Sequence, residues 1–113
     1  MVSLRFREKF NAALYYLAVG EGDVRARLRL AYAQLRRLRA QEVPQQLREE
    51  WKAILEALTA RGPQLGPLGH LHQDALEHTL RHMRNATGRK LAERIYSMIR
   101  NAEDLLPSKR KHS

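Results

Sequence analysis

With 113 residues and no cysteine, the chain is sized for one domain with a modest core, and it excludes disulfide staples, thiolate zinc sites and cysteine nucleophiles. Twenty-one lysines and arginines against twelve acidic residues give a net charge of +9, a balance that points towards polyanionic partners. Hydrophobic residues make up 43% of the chain, too many for intrinsic disorder, yet no apolar run approaches the ~18–20 residues that span a bilayer. A cytoplasmic protein without a membrane partner is expected.

Leucine, alanine, arginine and glutamate dominate and β-branched residues are few, which favours helix. The first helix runs from a Ser3 cap to Val19, with Phe6, Phe10, Ala13, Leu14 and Leu17 on one side. Gly20-Glu21-Gly22 stops it, and Asp23 caps a second helix extending to Arg39. The short link implies that the two pack roughly antiparallel. Pro44 suits the first position of a third helix, whose apolar face is Leu47, Trp51, Ile54, Leu55 and Leu58 and which ends at Arg61 before Gly62-Pro63.

The glycine- and proline-rich stretch 62–69, GPQLGPLG, reads as an irregular linker. A fourth helix is expected from Leu68 or His70 to about Asn85, with Leu71, Ala75, Leu76, Thr79 and Met83 inward. A fifth runs from Thr87 to Leu106 on Leu91, Ile95, Met98, Ile99, Ala102 and Leu105. Were these two one straight helix, the apolar stripe would jump by about 150° across Asn85–Gly88, so a break is expected there, with Asn85 and Gly88 as turn formers and Thr87 as a cap. The expected fold is therefore all-α: a single-domain bundle of four to five amphipathic helices with short connections over residues 1–106, followed by a basic C-terminal tail at 107–113.

Charge is concentrated. Residues 23–39 carry +5 and residues 107–113 carry +3, so eight of the nine net charges sit in two places. In the second helix Val24, Leu28, Ala31, Leu35 and Leu38 form the apolar face. Beside it Arg25, Arg29, Tyr32, Arg36 and Arg39 recur at spacings of four and three, and so align within an arc of about 80°. Such a row can contact the phosphate backbone of RNA or DNA without choosing a sequence, helped by Lys109, Arg110 and Lys111 of the tail. The plainer alternatives are a solvated face for the arginines and a packing role for Tyr32.

Four of the five histidines fall between His70 and His82. On one continuous helix His70, Asp74, His78 and His82 form a row at intervals of four. Asp74, His78 and His82 are thus the weak candidates for a metal site. No glutamate stands between His78 and His82 as the zinc-protease motif requires, no serine elbow or glycine-rich phosphate loop occurs, and no carboxylate pair is placed for acid–base work. The sequence thus predicts neither an enzyme nor a cofactor. It predicts a small basic α-helical binding protein that contacts RNA or DNA through an arginine-lined helix, as an accessory subunit of a larger complex. The alternative is a protein-interaction or scaffold module, a homo-oligomer or the partner of an acidic protein, without nucleic-acid binding.

Overall fold

A computed structural model describes residues 3–105, and most of them are helical, in keeping with the all-α class. Lys109, Arg110, Lys111 and the rest of the expected tail lie outside the described residues. Helix α1, Leu4–Val19, begins as its sequence dictates: the Ser3 hydroxyl accepts the Phe6 amide at 3.0 Å. Helix α2, Val24–Leu35, is capped by the Asp23 carboxylate, which accepts the Ala26 amide at 3.1 Å. The corner between them turns at Gly22, whose φ of 91° only glycine reaches without strain. The two helices run back along each other, since Arg5 near the start of α1 donates to the Arg37 carbonyl just beyond the end of α2, at 2.7 Å.

Helix α2 stops four residues short of the expected Arg39. Continuing the helix would aim the Arg39 amide at the Leu35 carbonyl. That carbonyl instead accepts the Leu38 amide at 3.3 Å, a tighter 3-10 pattern, together with the indole N–H of Trp51 at 3.0 Å. The Arg39 amide goes instead to the Glu42 carboxylate at 2.8 Å, and the chain tightens into a short 3-10 turn at Ala40–Glu42. Leu38 and Val43 fold inward from this connection and are almost fully buried.

Helix α3, Gln45–Leu58, starts directly after Pro44, one residue later than expected, and buries Leu47, Trp51, Ile54 and Leu58. The stretch read as an irregular linker contains structure: strand β1, Gln64–Leu65, pairs antiparallel with β2, Leu71–Gln73. Its corner, Pro67–Gly69, uses positive φ at Leu68 (63°) and Gly69 (80°). Proline and glycine break helices, but strands of two and three residues are too short to display the alternation that announces a strand. The ribbon also removes the first turns of the expected fourth helix. Helix α4 is only Ala75–Arg81, opened by the Asp74 side chain on the Glu77 amide at 2.8 Å.

The expected break before the last helix is real but falls at residues 82–84, and α5 spans Asn85–Glu103. Asn85 and Thr87 are therefore helical, and Gly88 is a buried position inside α5 instead of a turn former. Its role is close approach: a Cβ there would come within 2.8 Å of Val24 Cγ1 on α2. One apolar cluster gathers the buried faces of all five helices, with Phe6, Leu28, Ile54, Leu80 and Ile95 each at most 1% exposed. Paired carboxylates lock the outer sides. Glu50 on α3 takes both Nε and Nη2 of Arg94 on α5, at 3.0 and 2.8 Å.

Candidate nucleic-acid interface

The arginine row predicted for the second helix is divided by the structure. Arg25 and Arg29 do not face open solvent as a bare strip. They line a cleft of about 380 Å³ between α2 and α4, together with Gln73, Glu77 and Arg81. Arg25 donates through Nε and Nη2 to its own helix cap, Asp23, at 3.3 and 3.1 Å, and through Nη1 to the Met83 carbonyl at 3.2 Å. Arg29 makes a two-pronged pair with Glu77 on α4, with Nη2 at 2.9 Å from one oxygen and Nε on the other. That hydrogen bond is the main reason the Arg29 guanidinium lies above its ordinary value. The charges of these two arginines are thus met by carboxylates within the fold.

Tyr32 is partly buried and packs against the core, which removes it from any exposed cationic strip. Arg36 and Arg39 leave the row for a different reason. Helix α2 has ended, Arg36 lies in the turn beyond it, and Arg39 is extended with φ −91° and ψ 156°. The row of five is corrected to two neutralised arginines, one packing tyrosine and two arginines carried on a loop.

That loop is where positive charge stands free. Arg36, Arg37 and Arg39 are exposed, and among the described residues none of them makes an ion pair. Arg37 shared the charge of this segment but fell off the helical projection, so the periodicity argument missed it. The turn that carries the three is held from several sides. Arg48 donates to the Ala40 carbonyl through Nε at 2.8 Å and to the Val43 carbonyl through Nη2 at 2.9 Å. Arg5 reaches across from α1 to the Arg37 carbonyl and pairs with Glu42 at 3.1 Å.

Glu42 is the one carboxylate between residues 36 and 48. It lies below its ordinary value of 4.5, first through the Arg39 amide, then through Arg5 and, more weakly, through the nearby charge of Arg39. The geometry can therefore present three guanidinium groups on a pinned backbone to an anionic surface. Guanidinium forks match phosphate oxygens better than lysine does.

The histidine candidates are engaged in other contacts. His70 belongs to the ribbon's turn, and Asp74 is spent capping α4. His78 Nδ1 bonds the Gly62 carbonyl and His82 Nδ1 the His78 carbonyl, both at 3.0 Å, while their rings meet edge to face at 5.2 Å. Among the described residues no three His, Asp or Glu side chains gather as a metal would need. His78 instead ties the ribbon's base to α4. No helix of the described residues is long and apolar enough to cross a membrane. No family model matches this chain, and no curated protein or solved structure matches it either, so its chemistry has to be read from these side chains alone.

Proposed function

We propose that this is a small basic binding protein, not an enzyme, whose turn between α2 and α3 grips the phosphate backbone of RNA or DNA without reading sequence. Its five helices act as one bundle that holds the turn, and it works in the cytoplasm as a subunit of a larger complex. The observation that carries this reading is the group Arg36, Arg37 and Arg39, three exposed guanidiniums with no ion pair among the described residues, on a connection braced by Arg5, Arg48 and Trp51. Charge of this kind gives affinity through counterion release and no base preference. Lys109, Arg110 and Lys111 add three further positive charges to it.

The test is a salt titration of binding to generic duplex, comparing the wild type with an Arg36→Gln/Arg37→Gln/Arg39→Gln variant. Three lost phosphate contacts should flatten the slope of log K against log salt by about 2.7. Salt-insensitive or absent binding by the wild type would end this reading.

A second reading, a protein-interaction or scaffold module without nucleic acid, is favoured by a different observation. Leu65, Leu68 and Leu71 on the ribbon are 61%, 95% and 64% exposed, a concentration of apolar surface on a projecting hairpin. Replacing all three by serine and measuring oligomeric state by sedimentation tests it, and an unchanged monomer in both proteins would count against self-association.

A further inference from the structure

At the end of α2 away from the arginine turn, a cavity of about 440 Å³ opens between α1, α2 and α5. Arg27 and Arg89 line it from α2 and α5, and neither makes an ion pair among the described residues. Arg27 is not a loosely solvated side chain. Its stem crosses the bare backbone of Gly20, where a Cβ would stand 3.3 Å from Arg27 Cγ, and its Nε is enclosed by protein without a hydrogen-bond partner.

The remaining walls are informative about size and chemistry. Asn85, the first residue of α5, borders the cavity, and no side chain caps that helix, so its positive end is left uncompensated there. Leu17, Val24 and Ala92 supply an apolar side. Two carboxylates are also present. Asp23 is already consumed by the Ala26 amide and Arg25, whereas Glu93 has no partner among the described residues.

We infer that this cavity binds a phosphomonoester carried on a sugar, of the size of a nucleoside monophosphate. The phosphate sits between the guanidiniums of Arg27 and Arg89, a dianion between two fork-shaped cations. Glu93 accepts from sugar hydroxyls, which makes a bare anion a poorer occupant than an esterified one, since the bare anion meets only its repulsion. The apolar side covers the carbon skeleton. The same chemistry is offered by a free nucleotide and by the 5′-phosphorylated end of a strand, and the site is separate from the turn arginines, so the proposal does not depend on backbone binding there.

The experiment is calorimetric titration of the purified chain with inorganic phosphate, AMP and adenosine, and with a short oligonucleotide bearing either a 5′-phosphate or a 5′-hydroxyl. AMP should bind, adenosine should not, and inorganic phosphate should bind at least tenfold more weakly than AMP. If AMP binds and the 5′-phosphorylated oligonucleotide binds more tightly still, the natural source is a strand end; failure of AMP to bind would overturn the proposal. Arg89→Gln, at an exposed position, should weaken binding at least tenfold, as should Arg27→Gln if it folds. The Arg36→Gln/Arg37→Gln/Arg39→Gln variant should bind AMP as the wild type does, which separates failure here from failure of the turn. Equal affinity for phosphorylated and unphosphorylated ligands, or an Arg89→Gln variant with unchanged affinity, would overturn the proposal.

Discussion

Glu77→Gln isolates what the acid on α4 does to the second helix. In the folded protein both Glu77 oxygens are taken by Arg29, so the guanidinium closest to the turn along the predicted row is neutralised. The side chains are 46% and 37% exposed, a setting in which an ion pair is worth at most about 1 kcal/mol, so the substitution should leave the fold in place. The Glu77 amide keeps its bond to Asp74, so the start of α4 is undisturbed.

Arg29 stays fully charged in either protein, because a guanidinium's ordinary value is already far above neutral pH and Glu77 raises it further. The variant therefore gains a free guanidinium about 10 Å along the helix from Arg36, within reach of the same phosphate track. One extra contact should steepen the slope of log K against log salt by about 0.9, so the affinity advantage of the variant should shrink about 3.5-fold between about 50 and about 200 mM salt. Fluorescence anisotropy with a labelled duplex across that range measures it, with thermal melting as the check on folding. A slope identical to that of the wild type would mean that Arg29 lies outside the footprint and that the turn does not sit on a track continuing along α2.

Three further outcomes follow from the same contacts. Arg48→Lys keeps the charge but loses the fork that holds the Ala40 and Val43 carbonyls, so duplex affinity should fall a few-fold while the salt slope is unchanged; a changed slope would mean that Arg48 itself touches phosphate. Gly88→Ala should lower stability by about 1 kcal/mol, because overpacking against Val24 outweighs the helix-propensity gain, and on a Val24→Ala background the same change should stabilise. A double-mutant thermal cycle that shows no coupling would refute this account of α2 against α5. Asp23 is held below its ordinary 3.8 first by the Ala26 amide and then by Arg25, and Glu42 is likewise below its ordinary 4.5. Because the folded values are depressed, both groups stabilise the fold above about pH 4.5 and lose that effect as pH falls through the folded values. Melting temperature should accordingly drop less on acidification in an Asp23→Asn/Glu42→Gln variant than in the wild type.

Most helices were legible because their signals are local. Ser3 and Asp23 cap as their residue types dictate, and most expected apolar positions of α1, α3 and α5 are buried, with Leu14, Leu17, Leu55 and Leu105 only partly so. The failures have a common cause in long-range partners. Gly88 looks like a turn residue until Val24 is seen against it, and α2 looks like a helix to Arg39 until the Leu35 carbonyl is seen to accept Trp51 and the Leu38 amide. The ribbon was hidden because positive φ at Leu68, a leucine and not a glycine, carries no sequence mark.

The candidate site obeys the same division. Periodicity states which arginines share a face of α2, but it is silent on what stands opposite, and Glu77 comes from 48 residues away. Where the helix persists, α4 packs beside it and supplies that acid. Beyond the end of the helix, Arg36, Arg37 and Arg39 make no ion pair among the described residues. A turn tied down by Arg5, Arg48 and Glu42 loses less freedom on binding than a fraying helix end would. Within the arginine-rich segment, the cations without an ion pair among the described residues thus lie on the turn, while Arg25 and Arg29 on the helix are paired.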